Sequence, residues 1–389
     1  MSGRVCVVGG GFAGFWAAVA ARRVDGEAEV TVVSPLEHLV MRPRLYEAAP
    51  ETLAEPLGPL LAMIDADLVV DSVTAVPADR GAVTLASGGE LAYDALVVAT
   101  GSQMRVPPFA GAAGCHSIDS WSDARRFDRA LAVVALDDPP PVVAVIGAGF
   151  TGIELALELA DRFEAHGRPS EAAAPRVVLI DREPAVGAEL GPGPRPAIEE
   201  AVAAAGVELR LGAGVEAVES GGVRLAGGDL VAADLVVLCT GMVASPLAGA
   251  LGAPLDGLGR VVVDPYLRVS GRDRVFAAGD VAAADTGDGH LALQSCQHAL
   301  RLGPVAGENA ARSLLGRELV PYRQPEYVTC LDLGRSGGVF TTGWEREPSL
   351  VGAEAGALKR RINTQVIYPD LSGGRDGLLA QSVVGASRR

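Results

Sequence analysis

Two glycine-rich turns constrain this chain more than any other feature of its sequence. Val5 to Gly14 reads VCVVGGGFAG, and Val143 to Gly152 reads VAVIGAGFTG. Each is a short apolar run, then Gly-x-Gly-x-x-Gly, then a helical pattern. That order predicts a strand, a tight turn and a helix whose first N–H groups face an anion. The first glycine permits the turn, the second lets the main chain approach a pyrophosphate, and the third lets the helix pack on the strand. A second apolar run follows each turn: EVTVVS at Glu29–Ser34 and RVVLID at Arg176–Asp181. Each half later ends in a like strand and turn, LVVATG at Leu96–Gly101 and LVVLCTG at Leu235–Gly241. The interval from Gly9 to Thr100 nearly equals that from Gly147 to Thr240, so one fold is used twice.

The expected fold is α/β, with two Rossmann-like dinucleotide-binding domains of three-layer ββα form and a small C-terminal α+β domain. The first domain is expected to be discontinuous, residues 1–114 and 241–320, with residues 115–240 forming the second and 321–389 the third. A helix is expected near Ser122–Val133, before the stiff Pro139–Pro141 connector. The alternating Tyr327–Leu333 and Gly338–Thr342 predict strands. A helix is expected over Gly352–Val366, with Leu358, Ile362 and Val366 on one stripe and the chain's only lysine, Lys359, beside it. The Gly- and Ser-rich tail after Pro369 is expected to be loose.

A formal charge of −15 argues against nucleic acid and against broad adhesion to an anionic bilayer. Five cysteines, none close to another in sequence, read as reduced thiols in a cytoplasmic protein, without zinc-ligand spacing. Glycines interrupt the apolar N-terminal stretch, which argues against a signal peptide. No run of 18 apolar residues predicts a transmembrane helix, so contact with a membrane is at most peripheral.

At the end of its second strand each unit should offer a group to ribose hydroxyls. The first unit offers Ser34, or Glu37 just beyond; the second offers Asp181, which suits a free 2′-hydroxyl and favours NADH. The adjacent Arg182 keeps NADPH open. Glu154 on the following helix either contacts the nicotinamide end or merely complements the helix dipole. VFAAGD at Val275–Asp280 ends a strand in a carboxylate that suits a polyol.

Taken together, GGGFAG, YDALVVATGS, VIGAGFTGIELA and FAAGDVA, in this order and spacing, resemble the pyridine-nucleotide–disulfide oxidoreductase superfamily over about residues 4 to 310. The resemblance implies FAD on the first turn and NAD(P)H on the second. It implies an FAD set of Gly9, Gly11, Phe12, Ala13, Gly14, Ser34, Arg42, Thr100, Gly101, Gly279, Asp280 and Gln297. The matching NAD(P)H set is Gly147, Gly149, Phe150, Thr151, Gly152, Glu154, Asp181, Arg182 and Gly241. The reactive cysteine pair of the disulfide reductases is missing at Arg42–Tyr46 and across Arg176–Gly241, so electrons must reach an outside acceptor.

EHLVMRPRLYEAA at Glu37–Ala49, Cys296-Gln297-His298-Ala299 and Tyr327–Lys359 are similar to segments of type II NADH dehydrogenases and apoptosis-inducing-factor-like NAD(P)H:quinone oxidoreductases. That likeness implies a small quinone-like acceptor, with Glu154, Gln297 and His298 as candidate catalytic residues. Arg301 stands where those enzymes carry a second glutamine. Cys296 and Cys330 are either flavin-facing or buried inert thiols. Three other outcomes stay open: a tailoring flavoenzyme, a ferredoxin reductase, and an NADH-sensing signalling flavoprotein. The sequence leaves a homodimer open.

Overall fold

The computed structural model describes residues 3–78, 80–169 and 173–384. The first glycine turn joins strand β1 (Arg4–Val8) to helix α1 (Phe12–Val24), and β2 (Glu29–Ser34) follows. Strands β3 (Asp67–Val70) and β4 (Ala95–Val98) come next, then the short β5 (His116–Ser117) and helix α2 (Trp121–Val134). The second turn joins β6 (Val142–Ile146) to α3 (Phe150–Ala165). Strands β7 (Arg176–Ile180), β8 (Glu208–Arg210) and β9 (Leu235–Leu238) follow. Strand β10 (Val275–Ala277) precedes the long helix α4 (Cys296–Leu314). The last elements are β11 (Val328–Asp332), β12 (Gly338–Thr342), β13 (Glu347–Gly352), α5 (Ala353–Arg361) and α6 (Gly374–Ala380).

The first sheet runs β10–β4–β1–β2–β3, all parallel. The second runs β5–β9–β6–β7–β8, again all parallel. Strand by strand the orders match, so the repeat in sequence is a repeat in topology. Val-rich strands buried on both faces are what a covered parallel sheet requires. Each unit also carries a three-stranded antiparallel sheet, over residues 73–92 in the first and 215–232 in the second. In both sheets the chain reverses direction of growth beside the central strand, which opens a crevice at that strand's carboxyl end.

Helix α1 is buried nearly all round, with Phe15 and Trp16 fully inside. Burial of each aromatic stabilises by roughly 1.5–3 kcal/mol. Helix α4 crosses α1 almost backbone to backbone: a methyl group on Gly303 would come 2.4 Å from Ala13 O, and one on Gly307 2.0 Å from Ala17 O. Helices α2 and α3 are tied by fully buried Arg162, which donates to Asp128 at 2.8 Å and lies 4.9 Å over the Phe127 ring.

The C-terminal segment is an antiparallel sheet β11–β12–β13 backed by α5. Two expectations are corrected here. The helical segment spans the expected length, but it is α-helical only over Ala353–Arg361 and continues as a π-helix over Ile362–Val366. Its buried face is Ala355, Lys359, Asn363 and Ile367, whereas Leu358, Ile362 and Val366 are half-buried. The polar contacts of Lys359 and Asn363 outweigh the apolar stripe in choosing that face. The tail after Pro369 is not loose through residue 384: α6 packs on α1, with Leu378 fully buried and Arg23 Nε donating to Ser382 Oγ at 3.1 Å. Among the described residues, no helix is long and apolar enough to cross a membrane.

Candidate functional site

Both glycine turns are wedged against the neighbouring strand end. Gly9 has φ +117°, and a Cβ there would lie 2.2 Å from Ala99 O; Gly147 has φ +111°, and a Cβ there would lie 2.1 Å from Cys239 O. The third glycines are as tight: methyls on Gly14 and Gly152 would each sit 1.8 Å from the carbonyl oxygen of the first glycine of their own turn. These contacts press the N-termini of α1 and α3 onto β1 and β6. Both N-cap residues are glycines, with no side chain to cap the helix, and neither helix has an acid of its own in its first turn. Their leading N–H groups and dipoles are therefore directed at the crevice. Phe12 and Ala13 are buried, so it is their main chain that faces the turn; Phe150 is half-buried and Thr151 exposed.

The first crevice continues along the end of β4. Among the described residues Thr100 Oγ1, buried there, has no hydrogen-bond partner, and Gly101 turns with φ +67°. Asp280 follows Gly279, which has φ +74° and where an added Cβ would lie 2.9 Å from that of Ala13. Asp280 Oδ2 accepts from Ser102 Oγ at 2.7 Å, and Arg42 Nη1 donates to the same hydroxyl at 2.9 Å. Arg42 lies 3.7 Å from Asp280 and also pairs with Asp119. Burial pushes the Asp280 carboxyl above its ordinary range, while Arg42 and Ser102 pull it back. Ser34 is buried at the end of β2 and bonds to Leu36 through its hydroxyl. A glycine cradle, an unsatisfied hydroxyl and a carboxylate held in place fit the pyrophosphate and polyol of FAD.

The second crevice has the same frame. Asp181 Oδ2 accepts Ala148 N–H at 2.5 Å and its Oδ1 accepts Glu183 N–H at 2.9 Å. Arg182 is largely exposed beside Glu183. Gly241 mirrors Gly101 with φ +82°, and the segments after them, Ser102–Met104 and Met242–Ala244, pair antiparallel and join the two units. The frame matches that of the first crevice with one difference: Glu189 Oε1 accepts Phe150 N–H at 3.3 Å at the start of α3.

Between the two units and the third segment lies a buried polar cluster. Lys359 Nζ is 2.8 Å from Glu154 Oε1 and donates to Cys330 O at 3.1 Å. Glu154 Oε1 also accepts Asp332 N–H at 3.0 Å. Tyr46 donates to Asp332 Oδ2 at 2.9 Å, and Asn363 Nδ2 donates to Tyr46 Oη at 3.2 Å and to Glu47 at 2.9 Å. Burial raises Glu154, and Lys359 opposes that rise. Burial works against the Lys359 charge, but the Glu154 carboxylate wins and keeps the ammonium protonated. Burial also holds the Tyr46 phenol in its protonated form.

The remaining two candidates part company at the start of α4. The Gln297 amide brackets Val328, donating to its carbonyl at 3.3 Å and accepting its N–H at 3.4 Å. That contact places it on the strand whose Cys330 carbonyl anchors Lys359. His298, one residue on, points into the core: its Nδ1 lies 2.9 Å from Ser295 Oγ and its Nε2 has no partner. It belongs to an aromatic stack with Tyr327 and Trp344. Burial and Arg260 drop its pKa to about 4, so it is neutral at pH 7. Burial pushes the Cys296 and Cys330 thiols up to about 11, and both are free.

Tyr46, Asp119, Asp332 and Asn363 were not among the sequence candidates, and Ser102 entered only as the last residue of YDALVVATGS. Tyr46 lies within the Glu37–Ala49 stretch, but its partners come from 286 residues or more downstream, where no local pattern announces them. Lys359 carried one available signal, its standing as the only lysine in the chain.

A family model described as pyridine nucleotide-disulphide oxidoreductase matches residues 3–306. An NADH dehydrogenase-like protein of Mycobacterium tuberculosis is 45% identical over 97% of this chain and 97% of its own length. A demethylphylloquinone reductase of Synechocystis is 28% identical over 87% of this chain and 86% of its own. Among solved structures, a sulfide:quinone oxidoreductase of Aquifex aeolicus superposes with TM-score 0.76, covering 97% of this chain and 93% of its own. At 19% identity that likeness speaks to fold.

Proposed function

Because this chain belongs to the pyridine nucleotide-disulphide oxidoreductase family, we propose that it is an FAD-dependent oxidoreductase of NADH with a quinone-like acceptor. The observation that carries this reading is the pair of matched cradles, each at the crevice of a sheet of the same strand order. FAD, when bound, supplies the redox chemistry: it takes hydride from the nicotinamide and releases electrons to the acceptor. Residues 1–114 and 241–320 hold FAD, 115–240 hold the nicotinamide nucleotide, and 321–389 frame the acceptor site.

In this assignment the N-terminus of α1 binds the FAD pyrophosphate, Asp280 and Ser102 fix the polyol, and Thr100 Oγ1 gains the partner it lacks. The N-terminus of α3 binds the second pyrophosphate. Asp181 takes the ribose hydroxyls and disfavours a 2′-phosphate, which argues for NADH over NADPH. The reaction NADH + H⁺ + quinone → NAD⁺ + quinol consumes one proton from solvent. Lys359, paired with Glu154 and 5.6 Å over the Tyr46 ring, keeps a buried positive charge where the two units meet the third segment. His298, neutral and stacked on Tyr327, packs into the core at the start of α4. The quinone-type acceptor draws support from the demethylphylloquinone reductase among the relatives.

The test is anaerobic stopped-flow mixing of FAD-loaded protein with NADH, then with a short-chain quinone. Bleaching followed by quinone-dependent recovery of the yellow colour is expected. Flavin that stays oxidised for minutes refutes the donor assignment. Fast bleaching that ferredoxin reverses and quinones do not refutes the acceptor.

A further inference from the structure

The two glycine turns share a backbone but differ in what lies over them. A methyl group built on Gly11 meets no atom within 4 Å, whereas one on Gly149 would lie 2.3 Å from Glu189 Oε1. The same carboxylate oxygen accepts Phe150 N–H at 3.3 Å, in the first turn of α3. Glu189 sits in a short turn, Ala188–Leu190, that follows Gly187 at φ +61°. A negative group of the chain itself therefore stands at the helix N-terminus, where the cradle directs its N–H groups at an anion.

The carboxylate is held lightly and its backbone is held firmly. Its one hydrogen bond to the helix is long for an N–H···O contact, and the side chain is exposed. Glu189 O accepts Arg346 Nη1 at 2.8 Å, and Arg346 lies 5.6 Å over the Tyr327 ring in the C-terminal segment. The side chain can swing while its Cα stays beside the cradle.

We propose that Glu189 is a built-in competitor for the pyrophosphate of the pyridine nucleotide, a residue that sets the affinity of the second cradle. The inference rests on the assignment of that cradle to NADH. Carboxylate and phosphate claim the same N–H groups and the same dipole, so binding must first expel the carboxylate. Once expelled, it remains a like charge beside the bound phosphates. Among the described residues the first cradle carries no such competitor, as suits a group that stays bound.

The test is calorimetric titration of the FAD-loaded protein with NAD⁺, comparing the parent chain with Glu189→Gln and Glu189→Ala. Both variants are expected to bind about fivefold more tightly, the scale of one anion at a helix terminus. Since Glu189 is exposed, neither substitution should disturb folding. Unchanged or weaker binding in both variants overturns the proposal. Tightening in Glu189→Ala alone overturns charge as the cause. No binding to any of the three proteins overturns the cradle assignment, and the proposal with it.

Discussion

Replacing Lys359 by Met isolates the cost of the buried ion pair. Both partners are about 7% exposed, and loss of the ammonium leaves Glu154 with one donor, the Asp332 amide at 3.0 Å. A buried carboxylate without a cation escapes by taking up a proton. From the ordinary value of 4.5, that uptake costs about 3 kcal/mol at pH 7 and about 0.7 kcal/mol at pH 5. The folded variant then binds a proton that the unfolded chain releases above pH 4.5, so its stability falls as pH rises. Lys359→Met should therefore destabilise by about 3 kcal/mol at pH 7, within the range for breaking one side of a buried pair, and by much less at pH 5. Glu154→Gln in the same background removes the titration and should recover most of the loss. Chemical denaturation of the FAD-loaded protein at pH 5, 7 and 8 measures all of this. A cost below about 1 kcal/mol at pH 7, or one that does not change with pH, would refute the reasoning.

The glycine turns separate by function. Gly14→Ala should yield protein that loses FAD on desalting, while Gly152→Ala should remain yellow and fail to bleach with NADH; absorbance at the flavin band reads both. His298, pulled from 6.5 to about 4 by burial, makes the unfolded chain bind more protons between those values. Native stability should rise by up to about 3 kcal/mol from pH 4 to 6.5, and His298→Phe should flatten that slope in pH-dependent melts. Glu158, raised to about 8 by burial and by Asp161, Asp332 and Glu47, acts in the opposite sense. The folded chain keeps its proton between pH 4.5 and 8, stability falls across that window, and Glu158→Gln should stabilise by up to about 5 kcal/mol above pH 8, read by urea denaturation.

The parts of the fold that local chemistry dictates were legible. Gly9, Gly14, Gly147 and Gly152 stand where a Cβ would strike a carbonyl oxygen, so their spacing betrays the turn in any context. Val-rich runs announced the parallel strands for the same reason: both faces are buried. The third segment resisted, because its register depends on partners far away. Lys359 and Asn363 turn inward to meet Glu154 and Tyr46, and that choice overrides the apolar stripe beside them. Strand β13 was hidden by its exposed, mostly polar face; it exists through pairing with β12. At the site, Thr100 and Asp280 followed from their places after strands. Ser102, Asp119 and Tyr46 did not, since their place at the candidate site depends on partners distant in sequence.

A duplicated fold poses a physical problem that strand order does not solve. Two cradles of equal geometry would bind their dinucleotides with similar strength, yet a resident group and a consumed substrate need different lifetimes. Lifetime differences arise mostly in the off-rate. The first cradle can gain residence from the surroundings that hold Asp280, Ser102 and Arg42 rigid, since prearranged groups pay little ordering cost on binding. The second can lose it without any change to the turn, through one movable carboxylate at the helix mouth. The divergence then requires no new backbone, only side chains from loops outside the motif. On that proposal Gly147 and Gly9 can stay alike while Glu189, far downstream of its glycines, carries the difference.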